Sequence, residues 1–166
     1  TRVGKYLYSN TIRGVFIIAL AATFLFLLQD AQKERLYKAE VVLTKSPKIE
    51  VIEFKAVEAY VSKVYKDAWF KNRYPKARIP KVETGKYGNN GYSTGNTIGF
   101  PEKTTNSNIL HEIAHQLSPN DAGHGPKFAR IYVDLVWKYM GQESAELLRK
   151  SFEEHNVNWL KRPNGN

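Results

Sequence analysis

Apolar and polar positions change their period several times along the chain, and each change marks an element. Residues 14–29 carry no charge and hold two apolar runs, Val15-Phe16-Ile17-Ile18 and Phe24-Leu25-Phe26-Leu27-Leu28. As a helix this stretch is about 24 Å long, short of the roughly 30 Å hydrocarbon core. Ile12, with Arg13 and Lys33 reaching outward, extends it to a marginal span. Residues 12–29 therefore admit a membrane anchor or a helix buried against partner subunits or its own domain. A cleaved signal has the right basic start (Arg2, Lys5, Arg13), but Gln29-Asp30-Ala31 is a poor cleavage site. No proline intervenes before Leu43, so the helix is expected to run on through the amphipathic segment 31–40. That divides the chain into a long N-terminal apolar helix, residues 1–30, and a following domain, residues 31–166.

Ser46-Pro47 breaks the pattern, and Lys48 to Phe54 then alternates imperfectly as a strand. From Phe54 the period becomes helical through Val57, Tyr60, Val61, Val64, Tyr65, Ala68 and Trp69, ending before Tyr74-Pro75. Residues 80–100 are rich in turn and β formers. Val82 to Thr84 reads as a strand, and Gly88-Asn89-Asn90-Gly91 as a turn. Tyr92 and Thr97 to Phe100 read as a hairpin about Ser93-Thr94-Gly95-Asn96. Pro101 to Ser107 reads as a polar loop. A helix follows, with Ser107 or Asn108 as its cap and Ser118-Pro119 as its stop. A last helical pattern buries Phe128, Ile131, Tyr132, Leu135, Val136 and Tyr139.

The chemistry sits on the helix before Ser118, where residues 111–115 read His-Glu-Ile-Ala-His. Residues four apart on a helix lie about 40° from each other, so His111 and His115 share a face and can reach one ion. Glu112 lies about 100° from His111, which suits a base acting on the ion's water better than a ligand. Leu110, Ile113, Ala114 and Leu117 leave the opposite side free to pack. A catalytic zinc site takes three protein ligands and one water. The third ligand is expected from His124 in Ala122-Gly123-His124-Gly125-Pro126, where the glycines bend the chain and Pro126 opens a helix.

Other residues carry weaker signals. Glu143 and Glu146 stand where a helix-borne carboxylate ligand could lie, but also where they would serve a helix dipole. Asp121 could orient a histidine, His155 reads as a surface residue, and Tyr87, Tyr92 and Tyr132 are equal candidates to donate to an oxyanion.

Composition narrows the metal. The chain has no cysteine, so disulfides, thiolate zinc sites and thiol catalysis are excluded, and any transition metal must take nitrogen and oxygen ligands. The 166 residues suffice for one domain with a core. A net charge of +9 allows an acidic partner such as nucleic acid or an anionic membrane surface, but the basic residues are dispersed as on an ordinary solvated surface.

His111-Glu112-Ile113-Ala114-His115 followed by Gly123-His124-Gly125-Pro126-Lys127-Phe128 resembles the SprT-like zinc metallopeptidases. The wider run, with Asp30-Ala31-Gln32 and Tyr37-Lys38-Ala39-Glu40, is similar to small metallohydrolases of actinobacteria and their phages. The resemblance implies an α+β, zincin-like fold: a small mixed sheet beside an active-site helix, with an edge strand for an extended substrate. Thr97 to Phe100 is the candidate strand. The chain lacks the cysteine ribbon that DNA-repair members add, and its apolar segment has no counterpart in the family.

The expected activity is zinc-dependent hydrolysis of amide bonds in a protein or peptide, with Zn2+ held by His111, His115 and His124 and Glu112 as general base. The alternative is a non-catalytic subunit, anchored in a membrane or embedded in a complex, whose metal is structural and closed by a fourth ligand. If residues 12–29 span a bilayer, the basic start favours a cytoplasmic N-terminus and an external domain; the resemblance suggests a soluble cytoplasmic one.

Overall fold

A computed structural model describes residues 32–85, 91–119 and 123–159. The first helix, α1 (residues 32–40), buries Gln32, Leu36 and Ala39 at i, i+4 and i+7, and exposes Lys33, Glu34 and Lys38. A 3-10 turn, Val41–Lys45, extends it and buries Leu43. Next come β1 (Val51–Glu53), α2 (Phe54–Lys66), α3 (Ala68–Arg73), β2 (Lys81–Thr84), β3 (Tyr92–Thr94), β4 (Thr97–Phe100) and β5 (Lys103–Thr105). Two longer helices, α4 (Asn106–Leu117) and α5 (Pro126–Glu154), complete the described chain.

The fold is mixed helix and sheet, but two expectations fail. The first is the long N-terminal apolar helix. Residues 14–29 lie outside the described residues, and among those described no helix is long and apolar enough to cross a membrane. What is described of that helix, residues 32–40, carries charged side chains on its open side and docks as an amphipathic element. The second is the single small sheet. Strands β2, β4 and β3 form a mixed three-stranded sheet, whereas β1 and β5 form a separate antiparallel pair.

That pair explains why residues 101–107 are not the polar loop the sequence suggests. Thr104 is buried opposite Ile52. The Asn106 side chain ties the joint, donating to Lys48 O at 2.8 Å and accepting from Glu50 N at 3.2 Å. In the mixed sheet β4 is central, parallel to β2 and antiparallel to β3. Both its edges are hydrogen-bonded, so Thr97 to Phe100 is not an edge strand that could take an extended substrate.

The helical run from Phe54 is broken at Asp67. Its carboxylate accepts from the backbone N–H groups of Trp69 and Phe70 and so caps α3. The core gathers Leu36, Val57, Val61, Phe70, Ile98, Phe100 and Ile113 with Phe128 and Leu135 from α5. Helix α4 is packed most extensively against α5, which fixes the first histidine pair relative to the segment that delivers the third.

Helix α5 is kinked at Gly141, whose φ of 88° and ψ of 169° are open essentially to glycine alone. Gly141→Ala is expected to destabilise the protein by about 1–3 kcal/mol through that strain. Denaturant unfolding of variant and wild type measures it, and equal midpoints would refute the constraint.

Candidate metal centre

Helix α4 carries the histidine pair because its start and finish are both fixed. Thr105 caps it, accepting from Asn108 N, two residues before the cap that sequence suggests. Ser118 ends it, its hydroxyl donating to Ala114 O at 2.7 Å. Between them Ile109, Leu110, Ile113 and Ala114 are fully buried. Amphipathic packing therefore sets the rotation that turns His111 and His115 to one side.

The third histidine arrives on the turn before α5. Gly123 has a φ of 68°, the left-handed conformation that glycine supplies. Gly125, at φ −65° and ψ 179°, is ordinary extended backbone and serves as the N-cap ahead of Pro126. One ligand nitrogen from each of His111, His115 and His124 lies within 4.8 Å of the other two, and the three could hold a metal ion. His111 and His124 are buried and His115 is half-buried. Phe128 is the shared floor, with ring centroids 4.9, 4.3 and 5.0 Å from those of His111, His115 and His124.

One pair of the three already has the spacing of a tetrahedral ion. His111 Nε2 and His124 Nε2 are 3.2 Å apart. Two nitrogens bound about 2.05 Å from a tetrahedral ion would be about 3.3 Å apart. At His111 the other ring nitrogen is engaged, with Nδ1 2.8 Å from Glu40 Oε2. Glu40 thereby sets the tautomer that leaves Nε2 for the ion.

The charges are arranged to keep two rings neutral. Burial, followed by the nearby His111 and then Lys33, lowers His115 to about 3. Burial, His111, His115 and Lys33 lower His124 to about 2. His111 is different. Burial lowers it, but the charge of Glu40, its hydrogen bond and the charge of Glu112 together raise it above its ordinary value. Glu112 is buried and outside the ligand group. Its carboxyl is raised to about 7, chiefly by burial and also by Glu40, with His111 opposing.

A cavity of about 260 Å³ meets the centre, lined by Tyr37, Glu40, Gly91, Asn108, His111 and Glu112. Three residues here escape sequence reasoning, and all lie on α1. Besides Glu40, Tyr37 packs its ring 4.9 Å from that of His124, and burial, then Glu40 and Glu112, raise its hydroxyl to about 12. Gln32 donates to His124 O at 3.0 Å and Asn158 O at 2.8 Å. All three stand in the runs that carry the family resemblance, which gives them no role at the site; beyond that, residues 37 and 40 share a helix face.

The weaker candidates separate. Tyr92 donates to Glu83, and Tyr132 donates to Ser107 O at 3.4 Å beneath His111. Glu143 and Glu146 are exposed on α5, and His155 Nδ1 lies against Ser151 at the end of α5. None of these joins the three histidines. Tyr87 and Asp121 lie outside the described residues.

No family model matches the chain, and neither a curated protein nor a solved structure does.

Metal uptake near pH 7 should release protons. Burial lowers His111 but Glu40 raises it overall, and any proton on its ligand nitrogen must leave before the lone pair can bind; a cation beside Glu112 also draws its carboxyl down from about 7. The share released by these two groups is expected to be largest on the acid side of neutrality and to shrink as pH rises. Calorimetric titration in buffers of different ionisation enthalpy measures it. Zinc uptake at about pH 6 that releases no proton would contradict this charge arrangement.

Proposed function

We propose that the chain is a zinc-dependent hydrolase, and specifically a peptidase of the HExxH type akin to the SprT-like zincins. The observation that carries the proposal is Glu112: a buried carboxyl, adjacent to His111, facing the cavity yet outside the ligand group. An all-imidazole donor set, with one pair 3.2 Å apart as a tetrahedral ion requires, suits zinc among the common divalent ions. Zinc in that position supplies a Lewis acid for a carbonyl and makes water a nucleophile near neutral pH.

The chain's own residues do the rest. Glu112, once the neighbouring cation lowers it toward the carboxylate, takes the proton of the attacking water. It then returns that proton to the leaving amine. Burial and Glu40 both work against the cation's pull on this carboxyl, which keeps it a stronger base than an exposed carboxylate beside the same ion. Tyr37 keeps its proton at neutral pH and borders the same cavity, which makes it the hydroxyl best placed to donate to a developing oxyanion. A structural metal would be closed by a fourth protein ligand. Among the described residues none joins the group, which favours an open position for water or substrate. Since β4 is occupied on both sides, an extended polypeptide would pair with a terminal strand, β2 or β3, and β3 is the one that packs on α4.

Glu112→Gln is expected to bind zinc with unchanged stoichiometry and lose hydrolysis of a denatured protein such as casein by about 10²–10⁴-fold, the usual contribution of a general base. Metal analysis and a peptide-release assay read the two quantities. Hydrolysis retained by that variant would remove the proposed mechanism.

A further inference from the structure

The metal centre draws on a helix far from its ligands in sequence. Helix α1 touches two of the three histidines by different means. Glu40 Oε2 meets His111 Nδ1 at 2.8 Å, across 71 positions of sequence. The ion pair is sheltered, with side-chain exposures of 20% for Glu40 and 7% for His111, so water competes little for it. Gln32, about two turns earlier on α1, donates to the backbone carbonyl of His124 across 92 positions and to that of Asn158, and accepts from Asn158 N. Between them Tyr37 lays its ring against both imidazoles, 5.9 Å from His111 and 4.9 Å from His124.

We propose that Glu40 is a positioning residue of the metal centre, and that α1 is docked as the wall which holds His111 and His124 ready for the ion. A neutral imidazole has one N–H and one lone pair. An acceptor at Nδ1 places the hydrogen there and the lone pair at Nε2, the atom that lies 3.2 Å from His124 Nε2. The carboxylate also makes the ring a stronger donor to a cation. Without Glu40 the ring could take either tautomer and turn about its χ angles, and a share of the metal's binding free energy would go into restoring its orientation. Because α1 docks through the same hydrogen bonds, metal occupancy and α1 docking stabilise each other. The inference rests on the three histidines as a metal site and not on hydrolysis.

The test is zinc affinity of the full chain by chelator competition. Glu40→Ala is expected to weaken binding by about 10- to 100-fold, the usual effect of removing such a partner. Glu40→Gln, whose amide oxygen can still accept from Nδ1–H, is expected to fall between wild type and Glu40→Ala. That graded recovery is what a merely space-filling role would not give. Nitrogen NMR of zinc-loaded wild type supplies a readout that survives a misfolded variant: His111 should show a protonated Nδ1 and a metal-shifted Nε2. Glu40→Ala binding zinc as tightly as wild type, or His111 ligating through Nδ1, would overturn the inference. A wild-type chain that takes up no zinc would overturn both this inference and the proposed function. A graded zinc series in a chain that hydrolyses nothing would leave α1's role standing and remove only the peptidase.

Discussion

Three imidazoles that each bring a nitrogen within 4.8 Å of the other two cannot all carry protons, and the remainder of the structure follows from how that conflict is met. Each added proton would repel the others in surroundings that screen charge poorly. The protein lets one ring be basic, His111, and gives it Glu40 as a partner; His115 and His124 are driven neutral by burial and by that neighbour. Neutral rings turned toward a common point bring lone pairs together. A cation shared among them relieves that crowding, and the 3.2 Å separation of two Nε2 atoms already matches the spacing it needs.

Holding lone pairs together before an ion arrives takes rigid surroundings, and the core supplies them. Phe128 and Tyr132, both essentially inaccessible to solvent, support the histidines from α5. Tyr37 closes on them from α1, and α4 is rotated into place by Ile109, Leu110, Ile113 and Ala114. The centre is thus assembled from α1, α4 and the turn before α5, three segments that only tertiary packing brings together. Truncating a residue such as Phe128 would remove both core packing, about 3–5 kcal/mol by analogy with other buried aromatics, and the floor of the centre.

The clustering of the three histidines was legible in sequence because each position rests on local geometry. The i, i+4 pair needs only a helix with one apolar face, and His124 needs only a tight turn ahead of Pro126. Glu40 and Gln32 were not, because a hydrogen bond across 71 or 92 positions leaves no periodicity to read. Strand β5 was missed for a related reason: Lys103-Thr104-Thr105 has no apolar alternation, and what makes it a strand is its antiparallel partner β1. The hairpin of β3 and β4 could be read from its turn. The parallel pairing of β2 could not, and it moves β4 from the edge to the centre. The break at Asp67 was readable in principle, since an aspartate two residues before Trp69 is an ordinary cap, but the continuing helical period masked it.

The central claim is that His111, His115 and His124 bind one ion with a fourth position left open. X-ray absorption at the zinc edge of the purified, zinc-loaded full chain tests it most directly. The account predicts three nitrogen scatterers at about 2.0–2.1 Å and one further light ligand, with one imidazole contribution lost in His124→Ala. A spectrum unchanged by that substitution, or one fitted only by four protein side chains, would contradict it.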